Sequence, residues 1–511
     1  MTRRFRAPLC VLTVIAATCI AAPAAPAAPF SPHNDNGPSE AVIVGAASAD
    51  AAARAVHAVG ATVDTRLDIV DAVATHVNAS QLAALAANAA VQVAPDADLH
   101  PTGATYGVAD VDTHIAALDP GPELAPDGGA GVAVALIDTG VADTPDLKGA
   151  RLVRGPDFSG EGDGIDHYGH GTFMAGLIAG DGSASAGSVP RHVGVAPGAT
   201  VVAIKVAAAD GSSSVSRVIA GIGWAVTHRD VYDIRVMNLS FGVDVPMPYQ
   251  ANPLAAAAEA AWASGIVVVA AAGNNGQDNV TSPGDDPYVI TAGATDTRGT
   301  ANTSDDVVPS WSGAEQFKRY AKPEVVAPGV SVTSLRAPGS TIDQQHPEGR
   351  VGSAYFRGTG TSMSTALVTG AAALIVAGHP GATPDDVKGS LVATAKPTAD
   401  GAAAIDIDAA DHAAASPDWW QHYKTALGSF GFGLNDGMPW TASRWTGEFW
   451  DASRWTASRW TASRWTSSRW TSSRWTDADW ASSRWTDEGW ESSRWTSSRW
   501  TELAWPSNTW G

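Results

Sequence analysis

Gly131-Val-Ala-Val-Ala-Leu-Ile-Asp138-Thr-Gly140 is the stretch that decides the fold. Val132 to Ile137 is an unbroken apolar run. A strand with one wet face alternates apolar and polar residues, so a continuous run reads as a strand buried on both faces, as in a parallel sheet covered by helices. The run stops on a carboxylate, which puts a charged group at a strand C-terminus. Similar runs recur at Val201–Val206, Val236–Leu239, Ile266–Ala271 and Val289–Ala292, with helical stretches between them. From about Gly131 to about Asp411 the pattern predicts an α/β domain, a mostly parallel central sheet with helices on both faces. Reactive groups in such sheets gather at strand C-termini and helix N-termini.

Upstream lies a smaller unit of α+β character. Ala41–Val44 is strand-like, Ser48–Val59 is an Ala-rich helix stopped by Gly60, and Thr62–Val77 has strand character. Ala79–Ala90 reads as a second helix with Ser80 as N-cap, and a further strand begins at Val91. Residues 29–37 are rich in Pro and Asn and read as a linker. Arg3, Arg4 and Arg6, the apolar stretch Leu9–Ile20 and the small residues up to Ala28 have the three-part form of a secretory signal over residues 1–28. Both cysteines, Cys10 and Cys19, fall inside that segment, so the chain after it has neither a disulfide nor a cysteine nucleophile. A formal charge of −20 argues against a nucleic-acid partner, because phosphate binding needs clustered Lys and Arg. No later stretch reads as a membrane span.

Four local patterns carry chemistry. Asp138 ends the first buried run. Asp166-His-Tyr-Gly-His170-Gly-Thr172 enters a helix with Phe173, Met174, Leu177 and Ile178. Ala272-Gly-Asn274-Asn275-Gly276 ends another buried run, and Gly358-Thr-Gly-Thr-Ser362-Met-Ser364 enters a long helix reaching about Ala377. Each residue alone has a plain reading: a turn-forming Asp or Asn, a surface histidine, a serine cap. Together they supply an activated hydroxyl (Ser362), a base (His170), a group that orients the base (Asp138) and an amide donor for a developing oxyanion (Asn274). Other hydrolytic constellations fail on spacing. Ser362 lies in no G-x-S-x-G elbow, no H-E-x-x-H occurs, and Asp-Thr-Gly appears once where paired-carboxylate proteases need two such sites.

The order Asp, His, Ser, within Asp-Thr-Gly, His-Gly-Thr and Gly-Thr-Ser-Met, resembles the subtilase (subtilisin-like) serine peptidases. Gly194-Val-Ala-Pro-Gly198, Ala203-Ile-Lys-Val206, Met237-Asn-Leu-Ser-Phe-Gly242 and Val326-Ala-Pro-Gly329 fit the same family, and the resemblance covers residues 105–411. It departs where the family usually carries Pro-His after the serine, here Ala366-Leu367, and at Phe173, where a histidine is common; neither position donates a catalytic group. The resemblance implies a secreted endopeptidase acting on proteins or peptides through Asp138, His170 and Ser362, with Asn274 in the oxyanion hole. It also implies that residues 29–100 are an inhibitor-type propeptide whose last strand, about Val91–His100, enters the active site and is cut off between about Asp98 and Tyr106. Ser240, Phe241 and Gly242, with Ala271, Ala272 and Gly273, would flank the pocket for the residue before the cut. Those walls are small and apolar. Many subtilases bind calcium, but loops such as Asp305-Asp306 lack a ligand spacing that would carry it here.

After a linker at 412–436, Trp recurs at every fifth position from Trp440 to Trp510, typically as Thr-x-Ser-Arg-Trp, and residues 437–511 hold 15 of the 20 tryptophans. A period of five makes no single stripe on a helix and alternates faces on a strand. Two readings stay open: a multivalent binding tail for cell-envelope glycan or a similar surface, and a low-complexity spacer.

Overall fold

The computed structural model describes residues 39–101 and 127–413, apart from 189, 244–247 and 318–319. The signal-like segment, the stretch after Pro101 and the tryptophan repeat lie outside the described residues.

Residues 39–101 form a small α+β unit. Strands β1 (Glu40–Gly45), β2 (Val63–Leu67), β3 (Ala72–Val77) and β4 (Gln92–Pro95) make an antiparallel sheet in the order β2-β3-β1-β4, with helices α1 (Ala49–Ala58) and α2 (Ala79–Ala87). Val44, Ala52, Val56, Val73 and Leu85 are fully buried in its core. The strand expected over Thr62–Val77 is broken by a turn at Asp68–Val70, completed by Asp71 in the left-handed region at φ 51°. Asn78, not Ser80, caps α2: its side chain accepts from Gln81 N, and Gln81 Oε1 accepts from Asn78 N. That reciprocal pair, worth about 1 kcal/mol, starts the helix at Ala79 as the sequence suggested, with the cap two residues before Ser80.

The large domain is built on a sheet that has nine strands among the described residues. Seven of them, in spatial order from one edge, are β7 (Leu152–Asp157), β8 (Thr200–Lys205), β6 (Ala133–Asp138), β10 (Ile234–Leu239), β12 (Val267–Ala271), β13 (Ile290–Thr295) and β14 (Val325–Pro328). All neighbouring pairs in this run are parallel. Every residue of β6, β12 and β13 is buried, as expected for strands covered on both faces. Helix α3 (His170–Ala179) packs on the long helix α6 (Thr361–Gly378), which lies along β10, β12 and β13. Helices α4 (Val215–Thr227) and α5 (Pro253–Ala263) form a second packed pair. Thr361–Gly378 is the one described helix whose length and composition would let it cross a membrane, but its residues are buried in this core. Apolar character all round a helix here reflects burial in protein.

Candidate active site

Asp138 closes β6 and His170 opens α3. The His170 Nδ1 lies 2.8 Å from Asp138 Oδ1 and 3.0 Å from Oδ2, with both side chains buried. The helix can come this close because position 171 is glycine: a Cβ there would collide with the carbonyl oxygen of Gly140. Gly169, at φ 113°, makes the turn into α3, and a side chain at that position would run into Ser340.

A second carboxylate, which sequence reasoning passed over, shapes this corner. Asp166 is buried and accepts from Thr139 Oγ1 (2.8 Å), Gly169 N (2.6 Å), Thr172 N (2.8 Å) and Thr172 Oγ1 (2.6 Å). Thr139 Oγ1 in turn accepts from Gly171 N at 2.8 Å. Burial pushes the Asp166 carboxyl above its usual range, and the hydrogen bonds, Thr172 foremost, pull it back. Lys205, at the end of β8, is fully buried and donates to the carbonyls of Thr139 and Ile165 at 2.7 and 2.8 Å, and it pairs with Glu161. The only signals for these roles were an Asp four residues before the histidine and a lysine ending an apolar run. His167 is exposed and bonds Asp163 at 2.8 Å, as a surface histidine would.

Ser362 is the second residue of α6 and is buried, with its Oγ 3.3 Å from the carbonyl oxygen of Ser240. Asn274 lies three residues beyond β12, and its Oδ1 accepts from both Thr361 N and Thr361 Oγ1 at 3.0 Å. That acceptor end caps the helix carrying Ser362, so the opposite, amide end of the side chain is the donor end. The strand β10 is locked to the same helix: Asn238 Nδ2 donates to Ser240 Oγ at 2.9 Å, and Thr369 Oγ1 donates to Asn238 Oδ1 at 3.0 Å. The structure therefore joins Asp138 to His170 and joins Asn274 and Ser240 to the Ser362 helix, while the two helices bearing His170 and Ser362 pack on each other.

The two segments expected to flank the pocket are linked by a segment the sequence did not single out. Thr281 N donates to the carbonyl of Ala272 at 3.1 Å, and Ser282 exchanges two 3.1 Å backbone bonds with Val243. Residues 281–282 thus bridge the Ala271–Gly273 wall to the end of the Ser240–Gly242 wall. Strand β11 (Phe241–Gly242) is occupied along its edge by β5 (Asp98–Pro101) of the small unit, whose other edge pairs with β9 (Ser213–Ser214).

No group of three or more His, Cys, Asp or Glu side chains among the described residues has metal-holding geometry. Asp305 accepts from Thr300 and Asp306 from Thr295. The residues present do not fit calcium at that loop.

Comparison with known proteins identifies the family. The subtilase family profile matches residues 129–433, more than half of the chain. Serine protease AprX of Bacillus subtilis (strain 168) is 41% identical over 270 residues, which cover 51% of this chain and 60% of AprX. Subtilisin DY of Bacillus licheniformis is 36% identical over 292 residues, 55% of this chain and 91% of that protein. The crystal structure of fervidolysin from Fervidobacterium pennivorans, described as a keratinolytic enzyme related to subtilisin, superposes with a TM-score of 0.57 at 23% identity, over 76% of this chain and 63% of that one. The last similarity speaks for the fold alone. The chain belongs to the subtilase family.

Proposed function

We propose that this chain is a secreted serine endopeptidase that is made with an inhibitory N-terminal unit and matures by cutting itself. The observation that carries the reading is the buried pair of Asp138, ending β6, and His170, opening α3, with α3 packed against a second helix that Ser362 opens and Asn274 caps. In this mechanism Ser362 Oγ attacks the substrate carbonyl carbon as His170 Nε2 takes its proton. Asp138 holds the imidazole through Nδ1 and stabilises the imidazolium. The oxyanion is met by the Ser362 backbone N–H at the helix N-terminus and by the Asn274 amide. His170 then gives its proton to the leaving amine, and water hydrolyses the ester and restores the serine hydroxyl.

The inhibitor reading of the small unit is supported by β5, which fills the edge between Ser213–Ser214 and Phe241–Gly242 where a substrate strand would pair. Asp96, just before it, accepts from Ser216 N and Oγ at 2.8 and 2.6 Å and so caps helix α4 of the large domain. The three-part signal-like form of residues 1–28 supports export.

Hydrolysis of denatured casein by the secreted protein tests the enzymatic reading. Wild type should degrade casein and Ser362→Ala should not. Equal rates for the two would sink the assignment of Ser362.

A further inference from the structure

One loop touches both halves of the site. The strands Val332–Leu335 and Tyr355–Gly358 pair antiparallel, and the second leads directly into the helix that Ser362 opens. The first lies on α3, where Ser334 Oγ donates to the Phe173 carbonyl at 2.6 Å. Between them, residues 336–350 reach the turn that enters α3. Thr341 N donates to the His167 carbonyl at 2.9 Å and Ile342 N to that of Tyr168 at 3.0 Å, so the backbone just ahead of Gly169 and His170 is clamped by this loop. Thr341 Oγ1 adds a 2.6 Å bond to the Ala209 carbonyl. Ile342, Phe173 and Phe356 wall a small cavity that His170 and Met363, the residue after Ser362, also line. The loop therefore spans from the base to the nucleophile.

A single buried carboxylate holds the loop in shape. Asp343 accepts from Arg336 Nε at 2.5 Å, Arg336 Nη2 at 2.7 Å, Gly339 N at 2.8 Å and Arg350 Nε at 2.7 Å. Arg350 Nη2 also donates to the Asp343 carbonyl at 2.6 Å. Arg336 and Arg350 stand at the two ends of the loop, so one residue ties both ends to the tip. Burial opposes the charge, but these bonds, those of Arg336 foremost, bring the carboxyl down to about 2. Charge-assisted bonds from a planar guanidinium are short and directional, which suits them to fixing a geometry. The turn before His170 thus has two clamps, Asp166 from within and the 336–350 loop from outside.

Resting on the peptidase reading above, we propose that Asp343 is a positioning residue for the catalytic base: by tying Arg336 and Arg350 to the loop tip it fixes the 167–169 turn, and with it His170, relative to Ser362. Its effect passes to the reacting atoms through Thr341 and Ile342.

Two variants test this beside wild type. Asp343→Asn keeps the shape and removes the charge. Arg350→Gln removes one partner at a side chain that is partly exposed, so it is the gentler change for folding. The secreted proteins are assayed on succinyl-Ala-Ala-Pro-Phe p-nitroanilide, and reactive Ser362 is counted and timed by its reaction with phenylmethylsulfonyl fluoride. Per reactive serine, Asp343→Asn should lose about ten- to a hundred-fold in kcat, the scale of a base displaced by about 1 Å, with KM within about two-fold. Sulfonylation of Ser362 should slow by the same factor, because it needs the same base. Arg350→Gln should move both quantities the same way by a smaller factor. Fewer reactive serines and a lower melting temperature, with kcat per serine unchanged, would make the network merely structural and overturn the proposal. A raised KM at unchanged kcat would overturn it too, by making the loop a wall for substrate. Where Asp343→Asn does not fold, Arg350→Gln decides; where the anilide is not cleaved, the sulfonylation rate does. Wild type inert toward the anilide, denatured casein and the fluoride alike would remove the peptidase reading and this proposal with it.

Discussion

Asp285 offers a quantitative test of how the pocket-bridging segment is built. It lies three residues beyond Ser282 and is almost fully buried. Burial first, and the neighbouring Asp286 second, push its carboxyl from an ordinary 3.8 up to about 7. Asp286 and Glu259 are buried beside it and are raised as well, mainly by loss of water, with Lys322 and Lys388 as the nearby cations. The folded protein therefore holds a proton on Asp285 that the unfolded chain has already released between about pH 4 and 7. Stability must fall as pH rises through that window, and the loss is complete above it. The difference between 3.8 and about 7 corresponds to roughly 4 kcal/mol on the order-of-magnitude scale. Asp285→Asn, placed in the Ser362→Ala background to prevent self-digestion, keeps the shape and removes the charge. The variant and its parent should melt alike near pH 4. At pH 8 the variant should melt higher, by up to about 10 °C. Parallel melting curves from pH 4 to 8, followed by circular dichroism, would refute the burial argument.

Two other outcomes follow from the same structure. Asn274→Ala removes an oxyanion donor and the cap on Thr361 together, so kcat should fall about a hundred- to a thousand-fold, with roughly 1 kcal/mol lost in stability by denaturant titration; near-normal turnover would mean the oxyanion hole lies elsewhere. If the tryptophan repeat is a binding tail, deleting residues 437–511 should shift the protein from the cell-envelope fraction to the medium, and unchanged partitioning would leave the spacer reading.

The reactive side chains were legible because each sits inside a short motif whose neighbours have a mechanical task. Gly171 lets α3 approach the Asp138 turn, and Thr139 and Thr172 hold Asp166. Asp166 itself was quoted but not given a role, since its donors come from two segments that only the fold brings together. The Thr281–Ser282 bridge was invisible for the same reason, its partners being Ala272 and Val243. The strand expected to run from Val91 to His100 is in fact two strands. Asp96 turns aside to cap α4, which leaves β4 in the small sheet and sends β5 into the cleft. A local pattern records the extended backbone but not which sheet each half joins. The break at Asp71 was hidden because an aspartate entering the left-handed region leaves no apolar signature.

The central claim is self-maturation by Ser362, and mass analysis of the secreted wild-type protein beside Ser362→Ala tests it most directly. The account predicts that wild type loses the residues up to about position 100 and that the variant keeps them. Identical trimming of both proteins, or none in either, would contradict it.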